Sequence, residues 1–206
     1  MFDSDFLDFF SRCHPAMVVG LYLPGVLAAL FQSLIRFRVS PGTTSCLFGL
    51  GFASWTVAEY WLHRVVFHWQ SPTAWGKRLH FLVHGVHHRW PRDKYRLLMP
   101  PAASAPLYFA FLGLSLVLFG HFGWAFHAGF VAGYVFYDLT HYWVHHGRPR
   151  TAYGLRLRRN HMLHHFEDSS SRFGVSNLIW DRIFGTAGER ASRRSEARSR
   201  TARSRR

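Results

Sequence analysis

Four long stretches of apolar residues alternate with polar segments along the chain. They cover residues 16–35, 44–62, 102–119 and 123–140. Each is long enough, at about 1.5 Å per residue, to cross a hydrocarbon core of about 30 Å as a helix. The last two stretches are separated by a short neutral turn at residues 120–122, which predicts a helical hairpin. The pattern therefore predicts an all-α integral membrane protein with four transmembrane helices.

The polar segments that follow the second and fourth stretches are basic and aromatic. Residues 63–101 carry several arginines and lysines against one acidic residue, Asp93, and such a segment is excluded from lipid. We expect it to join residues 141–185 in a helical cap on one face of the membrane. The hairpin tip carries no charge, whereas its flanks carry arginines, so the positive-inside rule predicts a cytosolic cap. Arg36 and Arg38, in the other short loop, are an exception to this rule.

The two ends of the chain differ from the middle. Residues 1–15 place aspartates between phenylalanines, which predicts an interfacial segment and not a cleavable signal peptide, because the segment is acidic and not basic. Residues 16–186 form one predicted domain. Residues 187–206 are nearly all Arg, Ser, Ala, Glu and Thr, which predicts a disordered basic tail. We expect a multi-pass protein of the endoplasmic reticulum membrane in a eukaryote, or of the cytoplasmic membrane in a bacterium.

Composition excludes several classes of protein. The formal net charge is +14, but the arginines lie in loops and in the tail, away from any recognisable nucleic-acid-binding fold. Cationic loops beside apolar helices instead favour an anionic lipid surface, so we expect no nucleic acid partner. Cys13 and Cys46 lie far from each other and from the histidine clusters. They are interpreted as packing residues and not as a disulfide or a zinc finger.

The candidate chemistry lies in histidines, ten of the 15 in the chain, which form four clusters. The clusters are His63 and His68; His84, His87 and His88; His141 and His145; and His161, His164 and His165. A neutral imidazole is the commonest nitrogen ligand for iron, zinc and copper. Spacings of three and four residues place such ligands on one face of a helix. Two irons with about five nitrogen ligands each would use all ten, whereas structural zinc needs four ligands, so the count favours a dinuclear centre.

Two carboxylates lie one helical turn before histidines of these clusters. Asp138, before His141, is interpreted as a partner that orients a ring through its N–H; an interfacial carboxylate paired with an arginine is the alternative. For Glu59, before His63, both interpretations stay open.

The other histidines receive simpler interpretations. His80 and His146 are interpreted as hydrogen-bonding neighbours of the centre, although a ligand role stays open. His14 and His121 are expected to be solvated or interfacial. His127 lies about 21 Å along the helix from the predicted ligands, at about 1.5 Å per residue, which is too far to join the centre.

The histidine clusters lie in longer strings that resemble the membrane fatty acid hydroxylase superfamily, and within it the fatty acid (sphingolipid) 2-hydroxylases. The strings are EYWLHRVVFH (59–68), HFLVHGVHHRWPRDKYRLLMPP (80–101), YDLTHYWVHH (137–146), NHMLHHF (160–166) and RFGVSNLIWDRIFGT (172–186). The part DKYRLLMPP and the last string distinguish the 2-hydroxylases from sterol desaturases, C-4 methyl oxidases and carotenoid hydroxylases. The resemblance covers about residues 44–186.

The resemblance implies that the ten clustered histidines bind two metal ions. The metal would be iron, although zinc can occupy such sites in purified protein. It also implies four membrane helices under a cytosolic cap, and hydroxylation of a lipid acyl chain at carbon 2 with dioxygen. Many relatives carry a cytochrome b5 domain that this sequence lacks, so we expect a separate electron donor: cytochrome b5, a ferredoxin or a reductase. Asn160 stands where an aromatic residue is common.

The acyl chain is expected to lie in an apolar slot near Trp61, Phe67, Tyr137 and Trp143. A sterol or carotenoid oxidase of the same superfamily is an alternative within the same chemistry. A metal transporter or membrane metal buffer is a third hypothesis, but transport requires ligands near the bilayer midplane. The clusters instead lie at the ends of the apolar stretches.

Overall fold

The computed structural model describes residues 8, 9 and 11–188, and within them every regular element is a helix. This confirms the all-α prediction. The helices are α1 (Pro15–Phe31), α2 (Pro41–Trp61), α3 (Ala74–His80), α4 (Val86–Arg89), α5 (Pro101–Phe119), α6 (Gly123–His146), α7 (Ala152–Phe166) and α8 (Ile179–Ile183). Most of the predicted interfacial segment 1–15 and of the tail 187–206 lies outside the described residues.

Three of these helices continue into a π-helical turn. These turns are Gln32–Arg36 after α1, Leu62–Phe67 after α2 and Phe81–Gly85 after α3. A π-turn inserts an extra residue into the helical ladder, and such turns occur frequently at functional sites. Two of them hold a predicted ligand, His63 and His84.

Side chains at the helix starts explain where several helices begin. The Ser40 side chain accepts a hydrogen bond from the Thr43 amide at 3.1 Å, and Thr151 accepts one from Gly154 at the start of α7. His14, which is exposed as expected, accepts from the Ala16 amide at 3.1 Å. Each contact satisfies an amide that the first helical turn leaves free.

The four predicted apolar stretches correspond to α1, α2, α5 and α6. The main difference is that α6 continues past residue 140 to His146, so His141 and His145 extend from the membrane stretch on the same rigid helix. By length and composition, Pro15–Arg36 and Pro101–His146 qualify as membrane-crossing segments. The second of these includes the whole hairpin of α5 and α6, whereas α2 lies outside both, so four spans stay a prediction.

Helices α2 and α6 pack against each other most extensively, and two glycines bring their backbones into contact. A Cβ atom on Gly129 would lie 1.9 Å from the Phe48 carbonyl oxygen, and one on Gly51 would lie 2.0 Å from the Phe126 carbonyl oxygen. Small residues allow membrane helices to approach this closely. The pair therefore forms the centre of the bundle.

A methyl group at this contact should separate the helices. We expect Gly129→Ala to destabilise the protein by about 3 kcal/mol, the upper end of the range for overpacking, or about 6–12 °C in thermal midpoint for a chain of this size. Gly49→Ala is the control, because a Cβ atom there meets nothing within 4 Å. Thermal unfolding in detergent measures both, and equal midpoints would contradict a tight backbone contact.

Both short inter-helix connections lie at the same end of the bundle. The ring of Phe37, in the loop after α1, stacks on His121 in the hairpin turn with centroids 5.6 Å apart. His121 is exposed, as expected. At the opposite end, the Cys13 amide donates to the Tyr95 carbonyl at 2.7 Å, which ties the start of α1 to the polar segment. The long helices therefore run up and down between two chemically different ends.

The two cysteines have different environments. Cys13 is 1% exposed within the core, which fits its interpretation as a packing residue. Cys46 is exposed on α2, so the same interpretation is wrong for Cys46. Its position in an apolar stretch predicted burial, but the face of the helix that carries it does not meet another helix.

Candidate metal centre

The structure brings the ten predicted histidines together at one end of the bundle. They come from the turn after α2, from the turn after α3 with α4, from the end of α6 and from α7. Their nearest ring nitrogens form two groups of five, and within each group the candidate ligand atoms all lie within 4.8 Å of one another. The first group is His63, His68, His84, His88 and His164, and the second is His87, His141, His145, His161 and His165.

The inward nitrogen of most of these rings is Nε2. In the first group, Nε2 of His68 lies 3.3 Å from Nε2 of His63 and 3.0 Å from Nε2 of His164. The Nε2 atoms of His84 and His88 are 2.9 Å apart. In the second group, His161 is central: its Nε2 lies 3.0 Å from those of His141 and His165 and 2.8 Å from that of His145. Such convergence of one atom type is what a bound cation requires.

The two groups adjoin each other. The ring of His88, from the first group, stacks on that of His165, from the second, with centroids 4.2 Å apart. The rings of His84 and His87 are 5.7 Å apart. Neighbouring histidines on α4 and α7 therefore point to different groups, and the site is a pair of adjacent pockets.

The protonation state of these rings suits metal binding. Burial, and then the neighbouring imidazoles, lower the pKa of His68 and His88 to about 3. The rings are therefore neutral at pH 7 and each offers a lone pair. Ten crowded imidazoles with no anion among them fit a centre that holds two cations through nitrogen.

Backbone carbonyls fix the orientation of two rings. Nδ1 of His63 donates to the Phe173 carbonyl at 2.6 Å, and Nδ1 of His164 donates to the Ser171 carbonyl at 2.7 Å. A proton held on Nδ1 leaves the lone pair of Nε2 facing the pocket. Both carbonyls belong to one loop, residues 171–177, which we call the orienting loop.

Glu59 holds the orienting loop from below. Its buried carboxylate accepts hydrogen bonds from the amides of Val175 at 2.9 Å and Ser176 at 2.7 Å, and from the Ser176 hydroxyl. Of the two interpretations left open by the sequence, this geometry favours support of the centre, because Glu59 acts on His63 through the loop.

Asp181 holds the same loop from α8, and no sequence pattern selected this residue as part of the site. Its carboxylate, 1% exposed, accepts from the amides of Phe173 at 2.8 Å and Gly174 at 2.9 Å and from the Thr186 hydroxyl at 2.8 Å. Its position inside the string 172–186, which distinguishes the 2-hydroxylases, was the feature of the sequence that could have pointed to Asp181. No histidine lies within a turn of it in sequence, so helical spacing could not reveal its role.

Asp138 is the second carboxylate for which the sequence predicted a role beside the centre. Its side chain is buried, but Oδ2 has no hydrogen-bond partner among the described residues, and its polar neighbour is Tyr134 instead of a histidine. Asp138 lies one turn below His141 but faces the interior of the bundle. Among the described residues no hydrogen bond joins Asp138 to a histidine ring, so its orienting role stays a prediction.

The remaining histidines stay outside both groups of five. His80 and His146 belong to neither, and the ring of His146 packs against Tyr142 at 4.9 Å. His127 is fully buried between α5 and α6, far from the centre. Arg96 forms ion pairs with Asp93 at 2.5 Å and Asp8 at 2.6 Å, which braces the segment before α5.

A long cavity of about 860 Å³ begins beside the centre. His84 and His141 line one end, and mainly apolar side chains, many of them on α5 and α6, line the rest as far as Leu114. Phe67 and Tyr137 line it, as expected for an acyl slot. Trp61 and Trp143 were also expected there, but both are partly exposed and lie outside the lining of this cavity.

Fold and site together define a helical protein in which an apolar cavity leads to two adjacent pockets of histidines. The sequence profile of the fatty acid hydroxylase family matches residues 48–186. The chain belongs to this family.

Relatives with assigned functions support this membership. The chain is 37% identical to a dihydroceramide fatty acyl 2-hydroxylase of Arabidopsis thaliana, over 90% of this chain and 78% of the relative. It is 36% identical to the fatty acid 2-hydroxylase of Mus musculus, over 90% of this chain and 56% of the relative. A solved structure of full-length scs7p, in which only the hydroxylase domain is visible, superposes with a TM-score of 0.83 at 34% identity, covering 88% of this chain and 69% of that one.

Proposed function

We propose that this protein hydroxylates a lipid acyl chain at carbon 2, using two iron ions, dioxygen and electrons from a separate donor. The observation that carries the proposal is the position of the two histidine pockets at one end of the long apolar cavity. The relatives are named as fatty acid or dihydroceramide fatty acyl 2-hydroxylases, which supports this substrate class and this carbon.

The reaction is a monooxygenation. One atom of dioxygen enters the C–H bond at carbon 2 as a hydroxyl group, and the other leaves as water after the donor supplies two electrons and two protons. Iron held by the ten histidines would supply the activation of dioxygen, and zinc in the same pockets would not, because it has no redox chemistry. Cytochrome b5, a ferredoxin or a reductase are the donors we propose.

The protein contributes position and exclusion of water. The cavity lining next to the centre includes Phe67, Leu62 and Tyr137, which hold an acyl chain by apolar contact. His84 and His141 reach the cavity from the two different pockets, so a methylene group at this end would lie next to both. The headgroup then lies toward the polar segment, at the membrane surface.

We propose four membrane spans, α1, α2, α5 and α6, under a cytosolic cap. Large apolar side chains exposed on the outer helices support this, for example Leu27 at 59%, Phe109 at 67% and Val117 at 83%, because lipid would cover them. The contact between Phe37 and His121 at the end away from the histidines supports the up-and-down order. The membrane would be the endoplasmic reticulum or a bacterial cytoplasmic membrane.

The same arrangement supports a proposal for the domain bounds. We propose residues 16–186 as the hydroxylase domain, with residues 1–15 at the interface and 187–206 as a basic tail. The ligands collect at one end of the helices and not at their middle, which disfavours a transporter.

The test is hydroxylation by the purified protein. Iron-loaded protein, a chemical or protein electron donor and a ceramide with a saturated acyl chain should give a 2-hydroxyacyl product, with the oxygen located by tandem mass spectrometry. Zinc-loaded protein is the control and should be inactive. Oxygen at another carbon, or oxidation of a sterol instead, would replace this proposal by the alternative chemistry of the superfamily.

A further inference from the structure

The cavity follows one face of α6 over most of the helix. Residues spaced by three or four positions line it from the histidine pockets to the other end: His141, Asp138, Tyr134, Val131 and His127. His127 and His141 are 14 positions apart on α6, or about 21 Å at about 1.5 Å per residue. A cavity of this shape suits one extended chain.

His127, at the far end, is a buried polar group without a partner. Its side chain is 0% exposed, and neither Nδ1 nor Nε2 has a hydrogen-bond partner among the described residues. Its ring packs against those of Tyr108 and Phe111, whose centroids are 4.7 Å and 6.0 Å from its own. The Tyr108 hydroxyl points elsewhere, toward Gly25, where a Cβ atom would lie 2.7 Å from it.

Other buried polar atoms of the cavity lining also have no hydrogen-bond partner among the described residues, for example Trp55 Nε1, the Tyr134 hydroxyl and Asp138 Oδ2. Tyr134 has Asp138 and Ser104 as neighbours, and the Tyr22 hydroxyl donates to Ser104 at 2.5 Å. His127 lies beyond this group, among aromatic and aliphatic side chains. A buried imidazole with no partner destabilises the fold, unless a ligand supplies the missing hydrogen bonds.

We propose that His127 recognises a hydroxyl group carried near the far end of the acyl chain, and that the substrates include lipids with such ω-hydroxylated chains. The proposal rests on the proposed function, because carbon 2 must lie at the histidine pockets. An extended chain advances about 1.2 Å per bond, so the hydroxyl lies about 16–18 bonds from the reacting carbon.

The chemistry of the imidazole selects the ligand group. A neutral ring has one donor and one acceptor nitrogen, and an alcohol likewise donates one hydrogen bond and accepts others. A carboxylate would place a full charge inside the hydrocarbon layer without a cation beside it. A methyl end would leave both nitrogens unpaired.

The test compares two substrates on the iron-loaded full-length protein. They are ceramides with acyl chains of about 18 carbons that end in either a methyl or a hydroxymethyl group. We expect wild-type protein to prefer the hydroxymethyl chain by about tenfold in kcat/KM for 2-hydroxylation. His127→Leu should lose this preference and favour the methyl chain. His121→Leu removes an exposed imidazole outside the cavity and should behave as wild type.

A second variant separates recognition from folding. His127→Gln keeps one donor and one acceptor, so it should retain part of the preference if His127→Leu does not fold. Equal use of both chains by the wild type would overturn the assignment, as would an unchanged preference in folded His127→Leu; either result would indicate that the imidazole merely holds a water molecule. If the iron-loaded wild type hydroxylates neither chain, the proposed function itself fails.

Discussion

Replacing His84 or His164 with alanine is expected to abolish hydroxylation and to release metal. Both side chains are buried in the first group of five histidines. Each substitution removes a ligand and leaves a cavity that water can enter, so we expect the rate to fall by at least about 100-fold. The bound iron should fall from about two ions per chain to about one, because the second group keeps all its ligands.

The measurements are iron content by atomic emission and 2-hydroxyacyl product by mass spectrometry. His121→Ala is the matched control, since it removes an exposed imidazole from the hairpin turn at the other end of the bundle. It should keep full iron content and activity. A double variant, His84→Ala with His164→Ala, that remained fully active would show that these rings do not serve the reaction.

Asp181→Asn is expected to have the second largest effect, although Asp181 touches no ligand ring. An amide group can accept through its oxygen alone, so one of the donors from Phe173, Gly174 and Thr186 would face an NH2 group. The orienting loop would then shift, and the Phe173 carbonyl would no longer hold His63. We expect iron affinity to fall by about 10- to 100-fold, as for other groups that orient metal ligands.

The role of Asp181 as a positioning residue predicts a specific kinetic pattern. With iron in excess, kcat should fall while KM for the acyl chain stays near that of the wild type, because the cavity is unchanged. Asp168→Asn is the control: this carboxylate accepts hydrogen bonds from Ser170 on the partly exposed side of the same region. Unchanged iron affinity in folded Asp181→Asn, measured by competition with a chelator, would exclude the positioning role.

The sequence predicted the parts of the molecule that depend on periodicity and chemistry of single side chains. Uninterrupted apolar stretches gave the long helices, since helix formation follows from local backbone hydrogen bonding. Histidine spacing selected all ten side chains that the structure gathers. Histidine spacing could not predict which histidines share a pocket, because His87 and His88 are adjacent in sequence yet belong to different pockets.

Contacts between distant segments were the part that the sequence could not supply. Asp181 supports His63 through a loop that folds back over α2, and no local pattern encodes that path. For Asp138 the predicted role stays a prediction. Its spacing from His141 suggested a shared role, but helical phase alone does not tell which neighbour a buried side chain meets in the folded bundle.

The backbone contact between α2 and α6 limits the routes by which lipid can enter and leave the cavity. His63 lies in the turn directly after α2, and His141 lies on α6. Gly51 and Gly129 keep the backbones of these two helices in contact. An entrance for lipid that required α2 and α6 to separate would also separate His63 from His141, and with them the two pockets. We expect lipid to enter and leave on the side of α5, which packs less extensively against α6, so that the two pockets keep their geometry during turnover.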